Sequence, residues 1–359
     1  MIKYKGPEKL RDEILDKCGK LVSLDEVNIM IFQDYCEKRT NTIGSGVVIE
    51  SESNIYPCAI PDVGCGFHLC RIEGIRRNDI KNNKILYDKM MELYYGEKKN
   101  FSSGKFSLIE MCEKGHLYAK SSFDDDRKSK YEEEKVALQK PISSLFRNCN
   151  CCGDLDQYQG HFFEFLEDDN QNIYLLIHSG SWVLADRIMK KYWMPMARES
   201  YKKGWSVKEN IINGHFRIPI EGMHTLFPEY YNDILSLYNF TIAYRDVIEK
   251  EISDIFNEVF GKMISFCLES DYSHTKLWIA DDNKVIHQRG VQHLRGDGIT
   301  RYIMCGTQSS PSLIFTLDRD EFFSHGISEE IHGSDLICFN YTLEKAVRGE
   351  QLCPIMTIK

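Results

Sequence analysis

The sequence predicts an α+β fold, and three observations predict it. Short apolar runs bounded by glycine and polar turns read as strands in both halves of the chain. Longer stretches with apolar residues at helical spacing lie between them. After residue 263 short strands dominate again, and no internal repeat or low-complexity tract interrupts the mixture.

The elements follow in chain order. Residues 7–20 carry Leu10, Ile14, Leu15 and Cys18 at helical spacing. The stretches 27–32 and 46–49 read as strands. Residues 55–60 lead into a glycine-punctuated turn, and 67–72 lead out of it as a strand. Residues 80–95 are predicted helical. Residues 97–135 are charged, with Lys98, Lys99, a run from Asp124 to Lys128 and Glu132 to Glu134. This is the expected surface insertion, a solvated helix being its simplest form. The run 173–177 predicts a buried strand ending at His178. A basic helix is expected over 184–203, carrying Arg187, Lys190, Lys191, Arg198, Lys202 and Lys203. Residues 230–260 predict a long amphipathic helix on the spacing of Ile234, Leu237, Ile242 and Ile248. Strands are then expected near 264–268, 284–287, 302–304 and 312–317.

Composition narrows the function. With 359 residues, of which 42% are hydrophobic, the chain can bury a large core. A net charge of 45 − 54 = −9 argues against a surface coated in positive charge for non-specific nucleic-acid binding, though not against a local basic groove. No apolar run approaches the ~18–20 residues of a membrane helix. The first twenty residues are charged and lack a signal-peptide core, so the thirteen cysteines read as thiols of a cytoplasmic protein. Cys149, Cys151 and Cys152 suggest a zinc knot, but Cys112 and His116 are poorly spaced to complete it.

The chemistry is carried by five separated blocks. Pro61-Asp62-Val63-Gly64-Cys65-Gly66 places a carboxylate and a thiol three residues apart on a backbone free to bend. Gly160-His161-Phe162-Phe163-Glu164, Ile177-His178-Ser179-Gly180-Ser181, Ser273-His274-Thr275 and Ser324-His325-Gly326 each add a histidine. Together they point to one assembled metal site, which would make residues 1–359 one cooperative domain embellished by the 97–135 insertion. Asp62 could instead cap its turn, Cys65 could be a core thiol, and His325 a loop histidine. His116, His215, His224, His293 and His332 are expected to be structural.

In this order the blocks resemble the RtcB family of GTP-dependent RNA ligases. The resemblance runs from about Asp34 to Lys359. It takes in Ile43 to Val47, Tyr231 to Arg245, His287-Gln288-Arg289-Gly290, Gly306 to Ser312 and the lysine-terminated ending. It implies mixed and antiparallel sheets with surrounding helices around a central dinuclear metal cleft. It also implies two Mn²⁺ ions, with Asp62, Cys65 and His161 on one and Cys65, His178 and His274 on the other. Ligand chemistry alone would favour zinc. His325 matches the histidine that becomes guanylylated by GTP. Phe162, Glu164, Gly306, Thr307, Gln308, Ser312, Gly326 and Lys359 match contacts to the nucleotide.

The implied reaction joins RNA 3′-phosphate or 2′,3′-cyclic phosphate ends to 5′-hydroxyl ends, in tRNA splicing or RNA repair. RNA is the implied partner, with an archease-type activator in some family members. The chain also departs from the family pattern. Gly160, Thr275 and Tyr244 stand where the family has asparagines, and Trp182 where it has an arginine. Cys36 replaces a histidine, Gln288-Arg289 an Arg-Lys pair, and Ile327-Ser328 an Ala-Gly pair. Loss of phosphate-positioning donors should weaken transition-state stabilisation while leaving the ligand set intact. The drift admits a second reading, a metal-dependent RNA-end phosphoesterase lacking ligation. A third is a non-catalytic RNA-end-binding protein.

Overall fold

A computed structural model describes residues 1–6, 8–37, 42–95, 107–115, 118, 142–147, 161–180, 182–212, 214–280, 284–306, 311–324, 326 and 348–358. The chain opens with β1 (Ile2–Tyr4), α1 (Arg11–Leu21), β2 (Val27–Cys36), β3 (Ser45–Ser51), β4 (Asn54–Ile55) and β5 (Gly66–Glu73). Helices α2 (Arg77–Lys81), α3 (Lys84–Tyr95), α4 (Leu108–Lys114) and α5 (Ser144–Arg147) follow. Strands β6 (Phe162–Asp168) and β7 (Ile173–Ser179) precede α6 (Trp182–Lys202), α7 (Lys208–Ile212), β8 (Ile218–Pro219), α8 (Ile220–Leu226) and α9 (Pro228–Phe260). The remainder is β9 (Ser265–Ser273), β10 (Lys276–Ile279), β11 (Val285–Arg289), β12 (Val291–Leu294), β13 (Tyr302–Met304), β14 (Ser312–Thr316), β15 (Glu321–Ser324) and β16 (Arg348–Ile358). The α+β expectation holds.

Among the described residues the strands form a seven-stranded sheet in the order β13-β14-β16-β6-β7-β5-β9 and a five-stranded sheet in the order β1-β2-β3-β11-β10. Every pairing in the larger sheet is antiparallel. In the smaller sheet β1 pairs parallel with β2. The larger sheet is buried on both faces, and strand alternation sorts its side chains. Ile173, Leu175 and Ile177 of β7 join Cys70, Ile72, Phe163 and Phe165 in the main core against the helices. Tyr174 and Leu176 point the other way, into a second core with Phe67, Leu69, Ile303, Phe315 and Phe323. This buried β7 is the apolar run the sequence displayed.

The 33-residue α9 is the central post of the helical layer. At 1.5 Å per residue it spans roughly 50 Å. Proline at its first turn starts it, and Gly261 in the left-handed conformation ends it. Its stretch from Asn232 to Glu249 is buried continuously, so the one-sided amphipathic helix expected from the sequence is enclosed over its middle. The predicted 80–95 helix is two helices, because the chain turns at Asn82-Asn83, where Asn83 Oδ1 accepts from the Leu86 N–H at 2.9 Å. Within the charged 97–135 stretch, the described α4 is core. It buries Leu108, Met111 and Cys112, and Asn239 of α9 donates to the Cys112 carbonyl at 3.1 Å. The basic α6 likewise buries Leu184, Ile188, Tyr192 and Met196 on one face. No described helix is long and apolar enough to cross a membrane. The Cys149/Cys151/Cys152 group lies outside the described residues.

Candidate metal centre

Antiparallel order brings the candidate ligands together. In four neighbouring strands, β6-β7-β5-β9, the start of β6, the end of β7, the start of β5 and the end of β9 share one end of the sheet. His161 precedes β6, His178 is the penultimate residue of β7, Cys65 precedes β5, and His274 follows β9. Gly66 pairs directly with Ser179 on one side and Ser273 on the other. Residues more than two hundred positions apart thus become neighbours.

Cys65 Sγ lies 3.3 Å from His178 Nε2 and 3.5 Å from His161 Nε2, and His178 Nε2 lies 3.4 Å from His274 Nε2. All four side chains are buried. The rings are oriented by aromatic neighbours: Phe67 packs on His178 at 4.7 Å and on His274 at 5.0 Å, and Phe162 on His178 at 5.3 Å. Tyr94 of α3 fixes the His161 segment by donating its hydroxyl proton to the His161 carbonyl at 2.7 Å. Glycine is required on both sides of Cys65. At Gly64, φ is +86°, and a Cβ would collide with Thr241; at Gly66 it would collide with the Tyr272 carbonyl.

The donor set fits a metal ion. With metal–sulfur and metal–nitrogen bonds of ~2.3 and ~2.05 Å at a tetrahedral angle, neighbouring ligand atoms sit about 3.4–3.6 Å apart. The Cys65–His161, Cys65–His178 and His178–His274 separations match that spacing closely, and Cys65, His178 and His274, without His161, form one potential ligand group. Asp62 belongs to none of the three-residue ligand groups among the described residues. Its Oδ1 accepts from Arg289 Nε at 3.1 Å, and Arg289 Nη1 donates to Thr42 Oγ1 at 3.0 Å. The substituted Gln288-Arg289 pair therefore places a buried cation beside the expected carboxylate ligand.

The residues expected to contact a nucleotide are placed in part. Glu164 is buried, and its Oε1 accepts from Thr357 Oγ1 of β16 at 2.7 Å. Ser312 Oγ accepts from the Gly306 N–H at 2.9 Å, and Gly326 bridges to Cys305 beside it. Across β16, Ser312 stands in the row of Leu352 and Glu164 in the row of Thr357, so these two contacts occupy different rows of one sheet. Thr307, Gln308, His325 and Lys359 lie outside the described residues.

Behind the centre lies an ionic cluster that sequence reading missed. His68 Nδ1 lies 2.8 Å from Asp271 Oδ2, and its Nε2 2.8 Å from Glu249 Oε2 and 3.1 Å from Cys70 Sγ. Arg245 forms a bidentate pair with Asp271. Burial alone would discharge these groups. Burial opposes the His68 imidazolium, but Cys70, Asp271 and Glu249 raise its pKa well above the ordinary value. Burial would likewise raise the Asp271 carboxyl, yet Arg245 and His68 hold it well below the usual range.

His287 behaves oppositely. Burial pushes its pKa down to about 3, so the ring is neutral, and its Nε2 accepts from the Tyr56 N–H at 2.9 Å. A depressed folded pKa means the unfolded chain binds more protons between about 6.5 and 3. The stability this group contributes is complete above pH ~6.5 and lost as pH falls through about 3. Its size is on the order of 5 kcal/mol. His287→Asn, which keeps an acceptor but cannot protonate, is expected to flatten the acid limb of stability against pH by about one proton in urea unfolding. An unchanged slope would refute this.

The strand-end cluster of one thiolate-forming residue and three imidazoles defines an α+β protein with a candidate metal centre. A family model described as tRNA-splicing ligase RtcB matches residues 25–294, well over half of the chain, and the chain belongs to that family. No curated protein matches the chain.

Proposed function

We propose that this chain is an RNA ligase that joins a 3′-phosphate or 2′,3′-cyclic phosphate end to a 5′-hydroxyl end with GTP. The observation that carries the reading is the convergence of Cys65, His161, His178 and His274 at one sheet end in an RtcB-family chain. Asp62, Cys65 and His161 would hold one Mn²⁺ ion, and Cys65, His178 and His274 the other. Bound divalent cations supply Lewis acidity toward phosphate oxygens.

The chain's own groups carry the remaining roles. The neutral His325 imidazole attacks the α-phosphorus of GTP; a P–N bond forms and pyrophosphate leaves. An oxygen of the RNA 3′-phosphate then attacks that phosphorus, freeing the imidazole. A cyclic phosphate is first opened by water. The 5′-hydroxyl attacks the activated 3′-phosphate, a phosphodiester forms, and GMP leaves. Phe162 would pack on the nucleotide, while Glu164 accepts from guanine N–H groups and Lys359 donates to O6. Gly306, Thr307, Gln308, Ser312 and Gly326 complete the nucleotide loop. Arg289 holds one oxygen of Asp62 and so orients the other. Cleaved tRNA or other broken RNA in the cytoplasm is the proposed substrate, with an archease-type activator as the partner for repeated turnover.

The test uses an RNA carrying 2′,3′-cyclic phosphate and 5′-hydroxyl ends, with GTP and Mn²⁺. Sealed product that depends on GTP is the expected result. Opening to a linear phosphate, unaffected by GTP and without sealing, would overturn the ligase reading in favour of a phosphoesterase. Binding of the RNA without turnover would leave an end-binding protein.

A further inference from the structure

We infer that Arg245 is the positioning residue of the metal centre, one buried guanidinium bonded to each of the three backbone segments that carry Cys65, His178 and His274. The inference rests on the metal reading proposed above. Arg245 Nη1 donates to the Gly64 carbonyl at 3.0 Å and to the Ser179 carbonyl at 3.4 Å, and Nη2 donates to Ser273 Oγ at 3.3 Å. Gly64, Ser179 and Ser273 are the immediate chain neighbours of Cys65, His178 and His274. The Ser273 hydroxyl donates in turn to the Gly64 carbonyl at 3.3 Å, closing a ring between two of the three segments.

The guanidinium is itself aimed. Asp271 takes two of its donors, Nε at 2.9 Å and Nη2 at 2.6 Å, in the planar fork that fixes orientation as well as distance. His68 holds Asp271 from the other side, and Glu249 holds His68. Arg245 and Glu249 are one turn apart on α9, so both ends of this chain of contacts are anchored in one helix. Strand alternation places His68 and Cys70 on the helix-facing side of β5, opposite Phe67, which touches two of the ligand rings. The scaffold therefore lies across the sheet from the ligands and reaches them through backbone at the strand ends. His68, Cys70, Glu249, Asp246 and Asp271 also group as metal-type donors, but both His68 nitrogens already face carboxylates, so the scaffold needs no ion there.

A lysine cannot replace this residue. It keeps the charge as a single point but cannot span two carbonyls, a hydroxyl and a bidentate carboxylate. Groups that orient metal ligands typically contribute 10–100-fold to affinity.

Metal-free full-length protein would be titrated with Co²⁺, reading the thiolate-to-cobalt absorption, with thermal unfolding of each metal-free variant alongside. Arg245→Lys is expected to weaken cobalt binding about 10–100-fold and to alter the cobalt spectrum while unfolding remains cooperative. Ser273→Ala removes one bond of the ring and is expected to weaken binding about 3-fold. Should Arg245→Lys fail to fold, Ser273→Ala decides. Parent-like affinity and spectrum in the folded variants would overturn the inference. A parent that takes up cobalt without a thiolate band overturns the metal reading and the inference with it, a result distinct from variants that match a cobalt-binding parent.

Discussion

His325→Ala is expected to abolish formation of a covalent protein–GMP adduct. With α-labelled GTP and Mn²⁺, the parent should give a labelled band on a denaturing gel, and the variant none. The chemistry sets the controls. A phosphorus–nitrogen bond to imidazole survives alkaline conditions and is cleaved in mild acid, so the parent's label should disappear on acid treatment. An ester to serine or threonine would persist. Removing a nucleophile that acts as one unit with its surroundings typically costs several orders of magnitude, so sealing should fall by at least ~10³-fold. Metal content should be unchanged, because His325 is not among the proposed metal ligands. A labelled His325→Ala band would place the nucleophile elsewhere, and an unlabelled parent with bound metal would sink the guanylylation step.

What the sequence made legible follows from how local each signal is. The Asp62–Cys65 turn, β7 ending near His178, and the long α9 each carry their evidence within a dozen or so neighbouring residues, and each is found in its place. The apolar run over 67–72 was equally plain as a strand, but it concealed its one informative residue. His68 sits in that run beside apolar neighbours, and nothing nearby signals that Asp271 and Glu249, about two hundred positions away, will enclose it. Arg245 entered only through the family-like segment ending there, and its three acceptors, two backbone carbonyls and the Ser273 hydroxyl, are brought together by the fold. Arg289 read as a departure from a pattern; only the fold reveals Asp62 as its partner. The 97–135 stretch was judged by its charge density, which obscured the apolar face of Leu108, Met111 and Cys112. The candidate ligands stood out because cysteine and histidine are rare residue types and here lie in distinctive turns. The supporting shell did not, because common residues acquire their meaning from long-range pairing.

Cys65→Ala tests the centre at the atom common to both proposed metal ions. The thiol lies 3.3 Å from His178 and 3.5 Å from His161, so its removal breaks both ligand sets at once, whereas loss of any one histidine breaks one. Metal bound per chain is expected to fall from two ions towards none, and GTP-dependent sealing by at least ~10³-fold, because the cations' charge stabilisation amounts to several kcal/mol. The fold should persist. Alanine is smaller than cysteine and apolar, and the flanking Gly64 and Gly66 that set the turn are untouched, so the metal-free protein should lose no more than about 1 kcal/mol. Cys65→Ser separates charge from softness: an alcohol oxygen is a poorer ligand for zinc or cobalt than a thiolate, so soft-ion binding should suffer more than binding of Mn²⁺. Cys70→Ala is the control, since that thiol is also buried but lies beside His68, on the other side of the sheet from the candidate centre. It should retain parental metal content by elemental analysis. If Cys65→Ala binds two ions and seals RNA while Cys70→Ala does neither, the metal centre lies on the other face of the sheet, and the strand-end assignment falls.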